Sequence, residues 1–111
     1  MPVVYEPGEE IQLDVKSKHA FFSKALSWRE QKDLRKKIDA IKGLDLDDVK
    51  KTEEEQTDAA LTILVENLTR TSPVIEITAE TLMDVLDYRK IWELLTALQF
   101  NMTHEDKKKS D

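Results

Sequence analysis

Apolar residues at helical spacing are concentrated between Thr78 and Phe100, in the segment TAETLMDVLDYRKIWELLTALQF. Thr78 is a favourable N-cap for one helix, and Asp87 is a favourable N-cap for another that starts at about Tyr88. The later part carries a stripe of one buried helix face, formed by Ile91, Leu94, Leu95 and Leu98. This pattern fits either two helices that meet at an angle or one long helix. In both cases the C-terminal third supplies a large packing or partner-binding surface.

Two further helices are predicted upstream. Ser27 and Glu30 form a capping box, in which each side chain accepts a hydrogen bond from the other residue's amide. We expect a helix from about Trp28 to Lys42, stopped at Gly43, with a thin apolar stripe of Leu34, Ile38 and Ile41. A second helix should run from the acidic start at residues 53–55 to about Arg70, with its buried face formed by Ala60, Leu61, Leu64, Val65 and Leu68.

The N-terminal region has the alternating pattern of short strands. Ile11, Leu13 and Val15 alternate with polar residues, and Pro7-Gly8 supplies a turn after the short run Val3 to Tyr5. We therefore predict a small N-terminal β-hairpin between residues 3–5 and 11–15. The cluster Phe21, Phe22 and Leu26 is expected to fill the core, or else to present one aromatic ring to a partner.

These elements predict a mainly α fold, a small helical domain of three to four helices with a short N-terminal β-hairpin. A chain of 111 residues is long enough for one modest core. We place a single helical domain over residues 1–102. Residues 103–111 contain no apolar side chain and are predicted to form a flexible polar tail.

Side chains that commonly carry catalysis or bind cofactors are scarce. The absence of cysteine excludes disulfides, thiolate metal sites and cysteine nucleophiles. His19 and His104 are the only histidines, at no usual metal-ligand spacing, and Gly8 and Gly43 cannot form a phosphate-binding glycine-rich loop. Scattered carboxylates are the only support for a small hydrolase or transferase. We predict a protein that is not an enzyme and has no catalytic, cofactor-binding or metal-binding residues.

The charge pattern bears on partners and location. The net charge is -6, and six acids are interleaved with the nine basic residues between Lys24 and Lys51, so no basic face for nucleic acid is expected. The N-terminal residues do not have the blocks of a signal peptide, and no apolar run is long enough to span a bilayer. We expect an intracellular protein that binds neither nucleic acid nor membrane.

The order of these features resembles the tail assembly chaperones of long-tailed, siphovirus-type bacteriophages. The resemblance covers about residues 10–111. It is carried by Leu-Ser-Trp-Arg-Glu-Gln at residues 26–31, Leu-Met-Asp-Val-Leu-Asp at residues 82–87, Trp-Glu-Leu-Leu at residues 92–95, and the lysine-bearing polar tail. It implies a non-enzymatic protein that binds the tape measure protein, helps recruit tail tube subunits, works in the host cytoplasm and is not part of the mature virion.

This resemblance and the apolar C-terminal third lead to one hypothesis for the binding site. Leu82, Leu86, Trp92 and Phe100 are the candidate partner-binding residues, and weak homo-oligomerisation is expected because the helical apolar surface is generous for one thin core. The alternative is a small acidic interaction module that regulates or inhibits a host protein. It is suggested by the twelve acids between Glu53 and Asp106, which are accompanied only by Arg70, Arg89 and Lys90.

Overall fold

The computed structural model describes residues 6–41 and 53–103. Seven elements follow one another along this part of the chain: β1 (Glu10–Gln12), β2 (Ala20–Lys24), α1 (Trp28–Ile41), α2 (Glu53–Asn67), β3 (Leu68–Ser72), α3 (Ala79–Val85) and α4 (Tyr88–Phe100). The mainly α class is therefore confirmed in outline. The sheet is larger than predicted, because a strand from the middle of the chain joins the N-terminal hairpin.

The sheet has the strand order β1-β2-β3, and both pairings are antiparallel. An N-terminal hairpin is present and is formed by β1 and β2, in which Ile11 lies opposite Ser23. Residues 3–5, the predicted partner of residues 11–15, lie outside the described residues. The predicted turn is present, with Gly8 at a φ of 91°. It turns the chain toward the far end of β2, since the Gly8 amide donates to the Ala25 carbonyl at 2.8 Å.

A cluster on the outer face of the sheet ties its two edge strands together. The Arg70 guanidinium lies 3.8 Å from the centre of the Phe22 ring on β2. The Arg70 Nε atom also donates to Glu10 Oε1 on β1 at 2.8 Å, and Thr69 Oγ1 donates to Glu10 Oε2 at 3.1 Å. The opposite face is buried and includes Ile11 and Phe21. Phe21 therefore fills the core, as predicted, and Phe22 is only partly covered.

The first helix begins at the predicted capping box. The Ser27 amide donates to Glu30 Oε1 at 3.0 Å, and the Glu30 amide donates to Ser27 Oγ at 3.2 Å. Within the described residues α1 ends at Ile41, and its buried side chains are the predicted Leu34, Ile38 and Ile41. The predicted stop at Gly43 lies outside the described residues.

The second helix ends earlier than predicted. It stops at Asn67, whose side-chain amide donates to the Ile63 carbonyl at 2.8 Å. The chain then extends into β3, where the β-branched Thr69 and Thr71 suit a strand better than a helix. Leu68 is buried as predicted, but it is a strand residue. Ala60, Leu61 and Leu64 are fully buried on the helix, while Val65 is half-buried.

The C-terminal apolar segment forms two helices rather than one. Thr78 caps α3 by accepting a hydrogen bond from the Thr81 amide at 3.2 Å. Asp87 caps α4 by accepting one from the Lys90 amide at 2.8 Å. Between them Leu86 has an extended backbone, which breaks the helix. Both predicted N-caps are confirmed.

The core is one cluster of buried apolar side chains shared by the sheet and the helices. Helix α2 is central to it and contacts α1, α3 and α4. Thr103 also belongs to the fold: it is buried and forms an isolated bridge with Leu13 beside β1. Thr103 is the first residue of the predicted polar tail. Residues 104–111 lie outside the described part of the chain.

Candidate partner-binding surface

Helix α4 divides its side chains between the core and the surface. One face is buried and consists of Ile91, Leu94, Leu95, Ala97 and Leu98. A row beside the buried face carries Tyr88, Trp92, Thr96 and Phe100, which are spaced four residues apart, and Trp92 in this row packs partly against the core. Residues at this spacing form a continuous ridge along a helix. We call these four residues the aromatic ridge.

The aromatic ridge exposes large apolar side chains. Tyr88 and Phe100 are 51% and 58% exposed, and Trp92 is half-buried. The Tyr88 and Trp92 rings meet edge to face, with their centroids 6.4 Å apart. At a rise of about 1.5 Å per residue, the ridge is about 18 Å long. This length corresponds to about three turns of a partner helix.

A groove runs beside the aromatic ridge. Its other wall is the loop of residues 14–19, which connects β1 to β2. One cavity of ≈ 490 Å³ lies between this loop and the Trp92 and Thr96 side of α4, and a second of ≈ 710 Å³ lies between the loop and α3. Lys16 and Lys90 line both cavities, which therefore adjoin each other, and we call the two together the groove.

Exposed methionines line the two parts of the groove. Met83 on α3 is 49% exposed and lines the second cavity, and Met102 after α4 is 43% exposed and lines the first. Methionine is flexible and polarizable, so it adapts to partners of different shape. The combination of an aromatic ridge, a concave surface and flanking methionines is typical of a surface that takes up an apolar helix.

The end of the ridge is fixed by Asn101, which follows Phe100. Asn101 has a left-handed backbone with a φ of 53°, and the Met102 amide donates to the Ala97 carbonyl at 2.9 Å, which closes the helix. The Asn101 side chain accepts from the Leu26 amide at 2.8 Å and donates to the Leu26 carbonyl at 3.0 Å. The backbone next to Phe100 is therefore fixed both by the end of α4 and by the hydrogen bonds between Asn101 and Leu26.

Only two of the four predicted partner-binding residues are accessible. Leu82 and Leu86 are 0% and 5% exposed, so this structure does not present them at the surface. Leu82 lies on the side of α3 that packs into the core, and Leu86, the C-cap residue of α3, packs there as well. Trp92 and Phe100 belong to the aromatic ridge. Tyr88 was not among the predicted residues, although its position four residues before Trp92 places it on the same row of the helix.

The aromatic residue with the largest exposure lies on another element. Trp28 at the start of α1 is 69% exposed, and Lys32 Nζ lies 5.9 Å from the centre of its ring. Helices α1 and α4 are linked nearby, since Gln31 Nε2 donates to the Gln99 carbonyl at 3.0 Å. Trp28 lines neither cavity of the groove. We therefore treat the aromatic ridge and the groove as the candidate site.

The described residues offer no group of three or more histidine, cysteine, aspartate or glutamate side chains placed to hold a metal ion. His19 lies in the groove loop, and its Nδ1 atom has no hydrogen-bond partner within the described part of the chain. His104 lies outside that part. Among the described helices, none is both long and apolar enough to cross a membrane.

Comparisons of this chain with models of known protein families, with curated proteins and with solved structures found no match.

Proposed function

We propose that this protein is a tail assembly chaperone of a long-tailed bacteriophage, which binds the tape measure protein without catalysing a reaction. The observation that carries the proposal is the aromatic ridge of α4, an exposed apolar row beside a groove. The resemblance of residues 26–31, 82–87 and 92–95 to this family supports it from the sequence.

The physical basis of binding is the removal of apolar surface from water. A helical segment laid along α4 would cover the rings of Tyr88 and Phe100, which are about half exposed in the free protein. Burial of apolar surface contributes roughly 25 cal/mol per Å² before the costs of association are subtracted. Covering such segments of a long helical protein would also keep that protein soluble until assembly.

The proposal also states where the chaperone acts and which proteins it binds. The chaperone acts in the host cytoplasm, holds the tape measure protein, aids the addition of tail tube subunits and is absent from the finished virion. The exposed ridge is a suitable surface for transient binding, because a bound helix can be replaced there without unfolding the core.

An acidic interaction module that regulates or inhibits a host protein is the second candidate. One observation favours it: all the acids on the helical C-terminal half whose exposure is described are exposed, namely Glu54, Glu55, Asp58, Glu66, Glu76, Glu80, Asp84, Asp87 and Glu93. Binding through these charges would weaken with salt, since the Debye length falls from about 10 Å at 0.1 M to about 3 Å at 1 M. Binding through the aromatic ridge would persist.

The test is co-expression with the tape measure protein of the same genome, followed by pull-down at low and high salt. We expect the wild type to recover soluble tape measure protein at both salt concentrations. Tyr88→Ala and Phe100→Ala should each reduce recovery, whereas Val74→Ala should not, because Val74 is 89% exposed but lies outside the ridge and the groove. No soluble recovery with the wild type would refute the chaperone proposal.

A further inference from the structure

The groove loop is basic in a protein whose net charge is -6. Lys16, Lys18 and His19 lie within four consecutive residues of this loop, and all three line the second cavity. Lys16 also lines the first cavity, beside the aromatic ridge. The loop wall of the groove therefore differs in charge from most of the molecule.

The two loop lysines are not neutralised within the described part of the chain. The ion pairs found there join Arg70 to Glu10 and Lys90 to Glu93, at 2.8 and 3.7 Å. Neither pair involves the loop, and both Lys16 and Lys18 are exposed. Their ammonium groups are thus available to a bound partner.

Four acids line the groove, and only one of them, Asp14, lies on the loop. The Asp87 carboxylate accepts the hydrogen bond that caps α4, and Glu93 pairs with Lys90. Asp14 takes part in another interaction. Asp84 remains, on the α3 wall rather than on the loop. The loop wall of the groove therefore carries Lys16 and Lys18, whereas the helical wall carries Trp92 and Thr96 of the aromatic ridge together with most of the acids.

We infer that the groove binds an amphipathic helix that carries carboxylates along one flank of its apolar face. The apolar face packs on the aromatic ridge, and the carboxylates meet Lys16 and Lys18. This inference rests on the proposed function and specifies the chemistry of the partner segment. The acidic flank of the partner helix must face the loop while its apolar face lies on the ridge. The helix can therefore lie along the groove in only one direction.

Two designed helical peptides of about 15 residues test the inference. They share one leucine face and differ only in the flanking positions, which are glutamate in one peptide and lysine in the other. The net charge of the protein alone favours the lysine peptide. We expect the opposite, an affinity for the glutamate peptide about fivefold higher at low salt, because two exposed ion pairs contribute modestly. The difference should shrink at 1 M salt.

Charge-reversal variants locate the effect. Lys16→Glu combined with Lys18→Glu should reverse the preference. The matched control, Arg35→Glu combined with Lys36→Glu on exposed positions of α1, changes the net charge equally and should preserve it. Binding of both peptides without a preference for glutamate would overturn the inference and leave the proposed function standing. Binding of neither peptide at any salt concentration would overturn the proposed function and the inference with it.

Discussion

Asn101 joins the end of α4 to the segment before α1, and its replacement should separate two contributions to stability. Its side chain makes two hydrogen bonds to the Leu26 backbone, at 2.8 and 3.0 Å. Its backbone has a φ of 53°, which asparagine and glycine adopt more readily than other residues. Asn101→Gly removes the hydrogen bonds and adds the entropic cost of ordering a glycine, whereas Asn101→Ala removes them and introduces backbone strain.

The expected magnitudes follow from these contacts. A hydrogen bond contributes about 0.5 to 1.5 kcal/mol net, so Asn101→Gly should lower the free energy of unfolding by about 1 to 3 kcal/mol. The left-handed backbone of a residue with a Cβ atom costs roughly 1 kcal/mol more, so Asn101→Ala should lower it by about 2 to 4 kcal/mol. In a domain of this size each kcal/mol lowers the melting temperature by about 4 to 8 °C.

Urea unfolding followed by far-UV circular dichroism measures both changes, with Lys36→Ala on the exposed side of α1 as the control. A glycine variant as stable as the wild type would refute the role given to the Leu26 hydrogen bonds. An alanine variant no less stable than the glycine variant would refute the argument from the left-handed backbone.

Three further predictions concern the core, the sheet and self-association. Leu64→Ala should cost about 2 to 5 kcal/mol in urea unfolding, because Leu64 is fully buried and its truncation leaves a cavity; a loss no greater than that for the half-buried Val65→Ala would contradict this. Arg70→Ala should lower the free energy of unfolding by less than about 1 kcal/mol, since its ion pair is exposed. A larger loss would show that the cluster on the outer face of the sheet stabilises the fold more than an exposed ion pair does. Weak self-association should be visible by sedimentation over a wide concentration range and be reduced by Phe100→Asp; a strictly monomeric wild type would exclude it.

The starts of the helices could be predicted because their signals are local. Ser27, Thr78 and Asp87 each cap a helix through a residue three positions later, so a short stretch of sequence contains the whole interaction. The buried stripe of α1 was predicted for the same reason. Its spacing is set by helix geometry and depends on no distant residue.

The sheet could not be predicted in the same way, because its pairing joins distant segments. Residues 20–24 bury Phe21 and Ser23 on the same face, and a buried serine hides the apolar alternation that identifies a strand. Leu68 continues the apolar spacing of α2, so the sequence extends the helix into what is β3. Tertiary pairing with β2 overrides that local pattern.

Of the four predicted partner-binding residues, Phe100 is exposed and Trp92 is half-buried, whereas Leu82 and Leu86 are in the core. In a helix of seven residues the apolar pattern is too short to show which leucines face inward. The groove itself depends on the loop of residues 14–19, whose position beside α4 follows from the sheet and not from any local motif.

Site-specific photo-crosslinking tests the central claim most directly. A photoreactive amino acid is placed at Tyr88 or Phe100 on the aromatic ridge, or at the exposed control position Val74, and each variant is co-expressed with the tape measure protein. The account predicts adducts with the tape measure protein from both ridge positions and none from the control. A complex that forms without adducts at either ridge position, or with equal adducts at Val74, would contradict it.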